Sequence, residues 1–195
     1  MNVDSWRSGM DEKSNNRDNE FPLPTFTGNY KIFYDERGSF SVLGNPSFLG
    51  KPDIDSPSVQ ANVSVSHPGV LRGMHWQKQF PQGKLVKVLY GCVLDVVVDI
   101  RPKSPTFKKV FSYALTNDRG PLFIPRGFAH GFYNIGKTDA VFHYLVDNVY
   151  SPENERGLLW SSIDFNWPIS SGELILSKKD REYPKIDDVS ESDLL

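Results

Sequence analysis

Lys84-Leu85-Val86-Lys87-Val88-Leu89-Tyr90-Gly91-Cys92-Val93-Leu94-Asp95-Val96-Val97-Val98-Asp99-Ile100 is the stretch that decides the fold. In its second half Leu94, Val96, Val98 and Ile100 fall on one face, with Asp95 and Asp99 on the other. A period of two belongs to a β-strand. Gly91 separates this run from Lys84–Tyr90, so two strands are expected. Val59–Ser66, Phe107–Thr116, Leu122–Ile124, Ala129–Ile135 and Ala140–Tyr150 read the same way. Turn signals divide them: His67-Pro68-Gly69, Pro81-Gln82-Gly83, Arg101-Pro102, Asn117-Asp118-Arg119-Gly120 and Pro125-Arg126-Gly127. No stretch carries a long helical period. The counts of 13 Phe, 8 Tyr, 4 Trp, 15 Gly and 14 Pro also favour strands and turns over long helices. An all-β sandwich or barrel is expected, and a jelly roll fits the number of strands.

A length of 195 residues suits one compact domain with a sizeable core. A net charge of -2 lacks the basic excess of a general nucleic-acid binder. No apolar run approaches the roughly 20 residues of a membrane helix. Residues 1–20 hold no apolar signal core, so a cytoplasmic location is expected. The lone Cys92 excludes an internal disulfide framework and a thiolate zinc site. Residues 1–24 read as a polar arm, residues 25–184 as the domain, and residues 185–195 as an acidic tail. That tail carries Asp187, Asp188, Glu191 and Asp193 and is expected to be solvated.

Three segments could carry chemistry. In Gly69-Val70-Leu71-Arg72-Gly73-Met74-His75-Trp76-Gln77, a regular strand would aim Arg72 and His75 at opposite faces. Gly73 permits a bulge that would bring both to one cavity; the plainer reading is an edge-strand Arg beside a packed His. Lys84 opens the next strand, where a lysine is usually just solvated. In Phe128-Ala129-His130-Gly131-Phe132, His130 lies between two aromatics on one face. Pointing inward it would be desolvated, which is where pKa values become useful. In Phe142-His143-Tyr144-Leu145-Val146, an inward apolar face would carry the Tyr144 hydroxyl with it and turn His143 outward.

These segments resemble the dTDP-4-dehydrorhamnose 3,5-epimerase family of nucleotide-sugar epimerases. Matching pieces run in family order from about residue 30 to residue 184. They include Asp35-Glu36-Arg37-Gly38-Ser39-Phe40, Gln60-Ala61-Asn62, Gln82-Gly83-Lys84, Ile124 to Phe132, Glu155-Arg156-Gly157, Trp167-Pro168 and Leu176-Ser177-Lys178-Lys179-Asp180. The resemblance implies a cupin-like jelly-roll barrel with few short helices, working without metal or organic cofactor. It implies a homodimer whose N-terminal segment enters the partner's site, and a nucleoside diphosphate sugar as substrate. His75 then matches the base, Asp180 its carboxylate partner, Tyr144 the acid, and Lys84 a cation near the C4 oxygen. Arg72 and His130 match residues lining the sugar and phosphate site. Arg37 and Phe40 match the nucleotide pocket, and Gln60, Asn62, Glu155 and Lys179 match further binding positions. Val42 stands where the family usually carries Glu, and Trp160–Trp167 is shorter than in typical members. No family role attaches to residues 1–24.

Three other readings compete. A metal-dependent cupin would normally show clustered ligands, often two histidines one residue apart, and the sequence has no His-x-His. A non-catalytic jelly roll would be favoured by loss of His75, Tyr144 or Asp180, and all three are present. The strongest rival keeps the fold and the catalytic set but inverts only C3 or only C5 of another 4-keto nucleotide sugar.

Overall fold

A computed structural model of the protein describes residues 32–44, 60–169 and 174–195. The polar arm over residues 1–24 and the domain boundary at residue 25 lie outside the described residues. Eleven strands follow in order: β1 (Ile32–Asp35), β2 (Gly38–Gly44), β3 (Gln60–Ser66), β4 (Leu71–Gln77), β5 (Lys84–Tyr90), β6 (Cys92–Asp99), β7 (Val110–Thr116), β8 (Leu122–Ile124), β9 (Phe128–Asn134), β10 (Ala140–Val146) and β11 (Glu155–Gly157). One short helix, α1 (Lys178–Glu182), and a few 3-10 turns complete the described chain. A six-stranded sheet runs β1-β2-β3-β10-β5-β8, and a five-stranded sheet runs β11-β4-β9-β6-β7. Neighbouring strands are antiparallel throughout. This is the all-β, cupin-like jelly roll expected from the alternating runs. Among the described residues no helix is long and apolar enough to cross a membrane.

Gly91 does more than separate two strands. β5 belongs to one sheet and β6 to the other, so the chain changes sheets at this residue. Its φ of +82° is disfavoured for other residues, and a Cβ there would stand 2.7 Å from the Asp139 carbonyl oxygen.

The central strands of the five-stranded sheet are buried on both faces. Val93 and Val97 of β6 join Val86, Val88, Phe132 and Phe142 in the core between the sheets. Val96, Val98 and Ile100 pack on the opposite face with Met74, Trp76, Ala129, Leu158 and Ile163. The apolar stripe of β6 thus faces away from the space between the sheets. The other stripe holds Asp95, fully buried in the barrel.

Residues 185–195 help cover that outer face, which corrects the expectation of a solvated tail. Ile186, Val189, Leu194 and Leu195 pack against the cluster around Trp76. The Trp76 indole donates to the Asp193 carbonyl at 2.8 Å, and the Asp193 carboxylate accepts from Lys78 at 2.9 Å and Arg156 at 3.0 Å. Each partly buried apolar side chain contributes on the order of 1 kcal/mol, while exposed like charges cost a few tenths. The four apolar residues therefore outweigh the acids between them. The β7 expectation also shortens: Phe107–Lys109 form a turn bonded back to Asp99, and the strand starts at Val110.

β3 reverses the usual alternation. Gln60, Asn62, Ser64 and Ser66 are buried, whereas Ala61, Val63 and Val65 point outward. A polar interior stripe is what a barrel needs where it holds a polar ligand.

Candidate active site

The site starts at a fault in β4. Its register on β9 pairs Arg72 with Phe132, then slips so that His75 pairs with His130. Gly73 has φ +125°, and a Cβ there would lie 2.5 Å from the Gly131 Cα. A Cβ on Gly131 would meet the Arg72 carbonyl and the Met74 sulfur, each at 2.7 Å. The two glycines make the bulge possible, and the bulge turns Arg72 and His75 into one cavity of about 520 Å³.

His75 Nε2 lies 2.5 Å from Asp180 Oδ1. Asp180 is delivered by α1, whose first turn is fixed by Ser177: the Ser177 hydroxyl accepts the Asp180 N–H at 3.1 Å. The other carboxylate oxygen, Oδ2, accepts from the Arg37 guanidinium at 3.3 Å. Burial pushes the Asp180 carboxyl upward, but His75, Ser177 and Arg37 together hold it below its ordinary value. It is an anion at neutral pH, held against the imidazole. Such a carboxylate selects the imidazole tautomer and stabilises the imidazolium.

The opposite wall comes from the other sheet. Lys84 on β5 and Tyr144 on β10 both line the cavity, facing the β4 wall that carries His75. Burial lowers the Lys84 ammonium to about 8, with Asp95 and Glu155 opposing the shift. Burial raises the Tyr144 phenol to about 12, against the pull of Arg72. Tyr144 thus keeps its proton across the neutral range. Lys84 is a cation at pH 7, poised to lose that charge a little above it.

Arg72 is clamped by the Ser66 hydroxyl at 2.9 Å and the Val65 carbonyl at 3.2 Å. Burial and the nearby Arg37 lower it to about 10, so it remains charged. Arg37, in the turn between β1 and β2, and Phe40 on β2 line the same cavity. Asp35 grips Arg37, with Nη2 to Oδ2 at 2.6 Å. Glu155 and Lys179 form an ion pair at the rim, and the Tyr150 hydroxyl donates to Glu155 at 2.9 Å. Gln60 and Asn62 line a smaller adjoining recess that shares His75, Lys84 and Tyr144 with the main cavity. The Gln60 amide donates to the Asn62 side-chain oxygen at 2.7 Å. All twelve residues singled out in the sequence therefore line the main cavity or this recess.

Asp95 was legible only as a polar residue on a strand face. In three dimensions it bonds His130 Nε2 at 2.8 Å in the barrel interior. Its Oδ1 has no hydrogen-bond partner among the described groups. Its signal in the sequence was an acid in the middle of a strand whose other acid, Asp99, stands at its end. Tyr150, Asp35 and Ser64 also line the cavity without having been marked in advance. Among the described residues, no group of three or more His, Cys, Asp and Glu side chains is placed to hold a metal ion.

A family model described as dTDP-4-dehydrorhamnose 3,5-epimerase matches residues 25–188. The chain belongs to the dTDP-4-dehydrorhamnose 3,5-epimerase family. The family's enzyme from Escherichia coli strain K12 is 41% identical over 167 residues, covering 82% of this chain and 88% of that one. The epimerase structure from Legionella pneumophila, in complex with dTDP-4-keto-L-rhamnose, superposes with a TM-score of 0.66 at 38% identity. It covers 85% of this chain and 89% of that one. A 3'-monoepimerase from Streptomyces bikiniensis, in complex with dTDP-quinovose, gives 0.62 at 31% identity, covering 81% of each chain.

Proposed function

We propose that this chain is an isomerase that epimerises a dTDP-4-keto-6-deoxyhexose at C3 and C5, converting dTDP-4-dehydro-6-deoxyglucose to dTDP-4-dehydrorhamnose without a cofactor. The observation that carries this reading is the division of labour across the cavity: a His75–Asp180 pair on one wall, Tyr144 and Lys84 on the other. The C4 ketone acidifies the protons on both neighbouring carbons. His75 takes one of these protons, and the electron pair moves onto the C4 oxygen as an enolate. The Lys84 ammonium faces that developing charge. The Tyr144 hydroxyl returns a proton to the opposite face of the same carbon, inverting it. His75 then loses its proton to solvent and Tyr144 regains one. Repetition at the second carbon gives the double epimer.

Arg37 and Arg72 are the cations for the diphosphate, and Phe40 offers an aromatic surface for the base. Gln60, Asn62, His130, Glu155 and Lys179 serve sugar and nucleotide binding. The reading is tested by incubating the protein with dTDP-4-keto-6-deoxyglucose in deuterated water, with and without chelator, and following C3 and C5 by NMR. Deuterium at both carbons, unaffected by chelator, is the expected result. Deuterium at one carbon supports the single-carbon rival, which the likeness to the 3'-monoepimerase keeps in view. No exchange at either carbon overturns the reading.

The working unit in this proposal is a homodimer. Its support is two apolar rows on the outer face of the six-stranded sheet. Ala61, Leu145, Leu85 and Phe123 form one cross-strand row, and Val65, Val141 and Tyr90 another. Leu85, Tyr90 and Phe123 are 38%, 56% and 63% exposed in the single chain, a pattern that calls for a cover. Leu85→Lys should yield a monomer by light scattering. Exchange of the N-terminal segment between subunits is tested by mixing inactive Arg37→Ala and His75→Ala chains. Regained activity supports exchange, and none supports a site built within one chain.

A further inference from the structure

Tyr183 stands three residues beyond Asp180, just past the end of α1. Its ring lies edge-on to the His75 imidazole, with centroids 5.6 Å apart and planes at 64°. It does not line the cavity; it backs His75 from behind. The residue opposite His75 on β11 is Gly157. A Cβ at Gly157 would stand 2.5 Å from the Tyr183 Cε2 and Cζ atoms. The Tyr183 ring thus fills a slot that exists because residue 157 has no side chain. This also accounts for the glycine in Glu155-Arg156-Gly157, to which the proposed reaction gives no work. The Tyr183 hydroxyl is buried and bonds to nothing among the described groups. Burial, then Glu155 and Asp180, raise its phenol well above the ordinary value, so it stays neutral. The contact offers a flat ring, and no ionic link.

One hydrogen bond fixes one atom of an imidazole and leaves its plane free to swing about that bond. His75 is bonded to Asp180 through Nε2, while its plane decides where the other ring nitrogen points. A base must meet its proton within hydrogen-bond reach and in line. Resting on the epimerase reading, we propose that Tyr183 is a positioning residue that sets the plane of the His75 ring, and that Gly157 is glycine in order to admit it.

Kinetics and ring NMR test this together. Tyr183→Leu keeps apolar bulk but loses the flat ring, so the fold should persist. In that variant kcat should fall by on the order of tenfold, with KM changed by less than about twofold, as expected for a misaligned catalytic group. Tyr183→Phe should restore kcat to within about twofold of wild type, because the hydroxyl has no bond to lose. Gly157→Ala should reproduce the loss in an otherwise unchanged site. Combined with Tyr183→Ala, it should add little, because the slot is then empty. An unchanged kcat in Tyr183→Leu, a loss confined to KM, or additive effects of the 157 and 183 changes would each overturn the proposal. The His75 Cε1 proton gives a readout that needs no turnover. Its ring-current shift should be present in wild type and Tyr183→Phe and absent in Tyr183→Leu. If wild type shows no deuterium exchange, the epimerase reading fails, while the ring shift still decides the contact.

Discussion

Two histidine–aspartate pairs face each other across β4 and β9, and they are in opposite circumstances. His75 and His130 are register partners, and each bonds an aspartate, at 2.5 Å to Asp180 and at 2.8 Å to Asp95. The His75 side chain is 29% exposed to the cavity, and that of His130 is 8% exposed. Burial drives the His130 imidazole below its ordinary pKa despite Asp95, so it sits neutral and offers a hydrogen bond. Asp180 has a cation, Arg37, on its other carboxylate oxygen. Asp95 has none so bonded, and acts through space by holding charge on Lys84. On the proposed mechanism the same two residue types make a base in one place and an electrostatic support in the other. Access to substrate and the surrounding charges decide which.

That contrast can be broken in order of size. Asp180→Asn keeps the shape of the first pair but removes its charge, so kcat should fall by about 10²–10⁴-fold while circular dichroism is unchanged. A loss below tenfold would erase the distinction between the pairs. Tyr144→Phe should lower kcat by roughly 10²-fold with little change in substrate binding, measured by steady-state kinetics against calorimetric titration.

The pH profile then sharpens the comparison. The Lys84 ammonium is intact below about 8 and lost above it, so kcat should decline through that pH on the alkaline side. Lys84→Arg should move the decline to higher pH. Asp95→Asn should move it lower, because a charge that favours the ammonium is gone. The clearest effect on stability is expected from Asp95→Ala. It leaves the buried His130 nitrogen unpaired, at a cost of about 1–3 kcal/mol. Thermal unfolding should record it as a drop of several degrees.

The alternation of Leu94, Val96, Val98 and Ile100 made the strands readable, because period two depends only on local geometry. It could not say which face looks into the barrel, because β6 is buried on both sides. The deciding partner is the C-terminal segment, whose acids hid the four apolar residues that bind it to the outer face. Arg72 and His75 were legible as a pair only through Gly73, which announced a possible bulge without fixing it. Asp180 lies 105 positions from His75, and nothing local joins them; only the fold does. Asp95 and Tyr183 were missed for the same reason, since each acts through a contact between distant strands or turns.

The most direct test of the account compares His75→Asn with His130→Asn in deuterated water, scoring C3 and C5 of dTDP-4-keto-6-deoxyglucose by NMR. No deuterium is expected at either carbon with His75→Asn, and slowed but measurable incorporation with His130→Asn. Incorporation by His75→Asn at a rate near wild type, or its complete loss in a folded His130→Asn, would contradict this expectation.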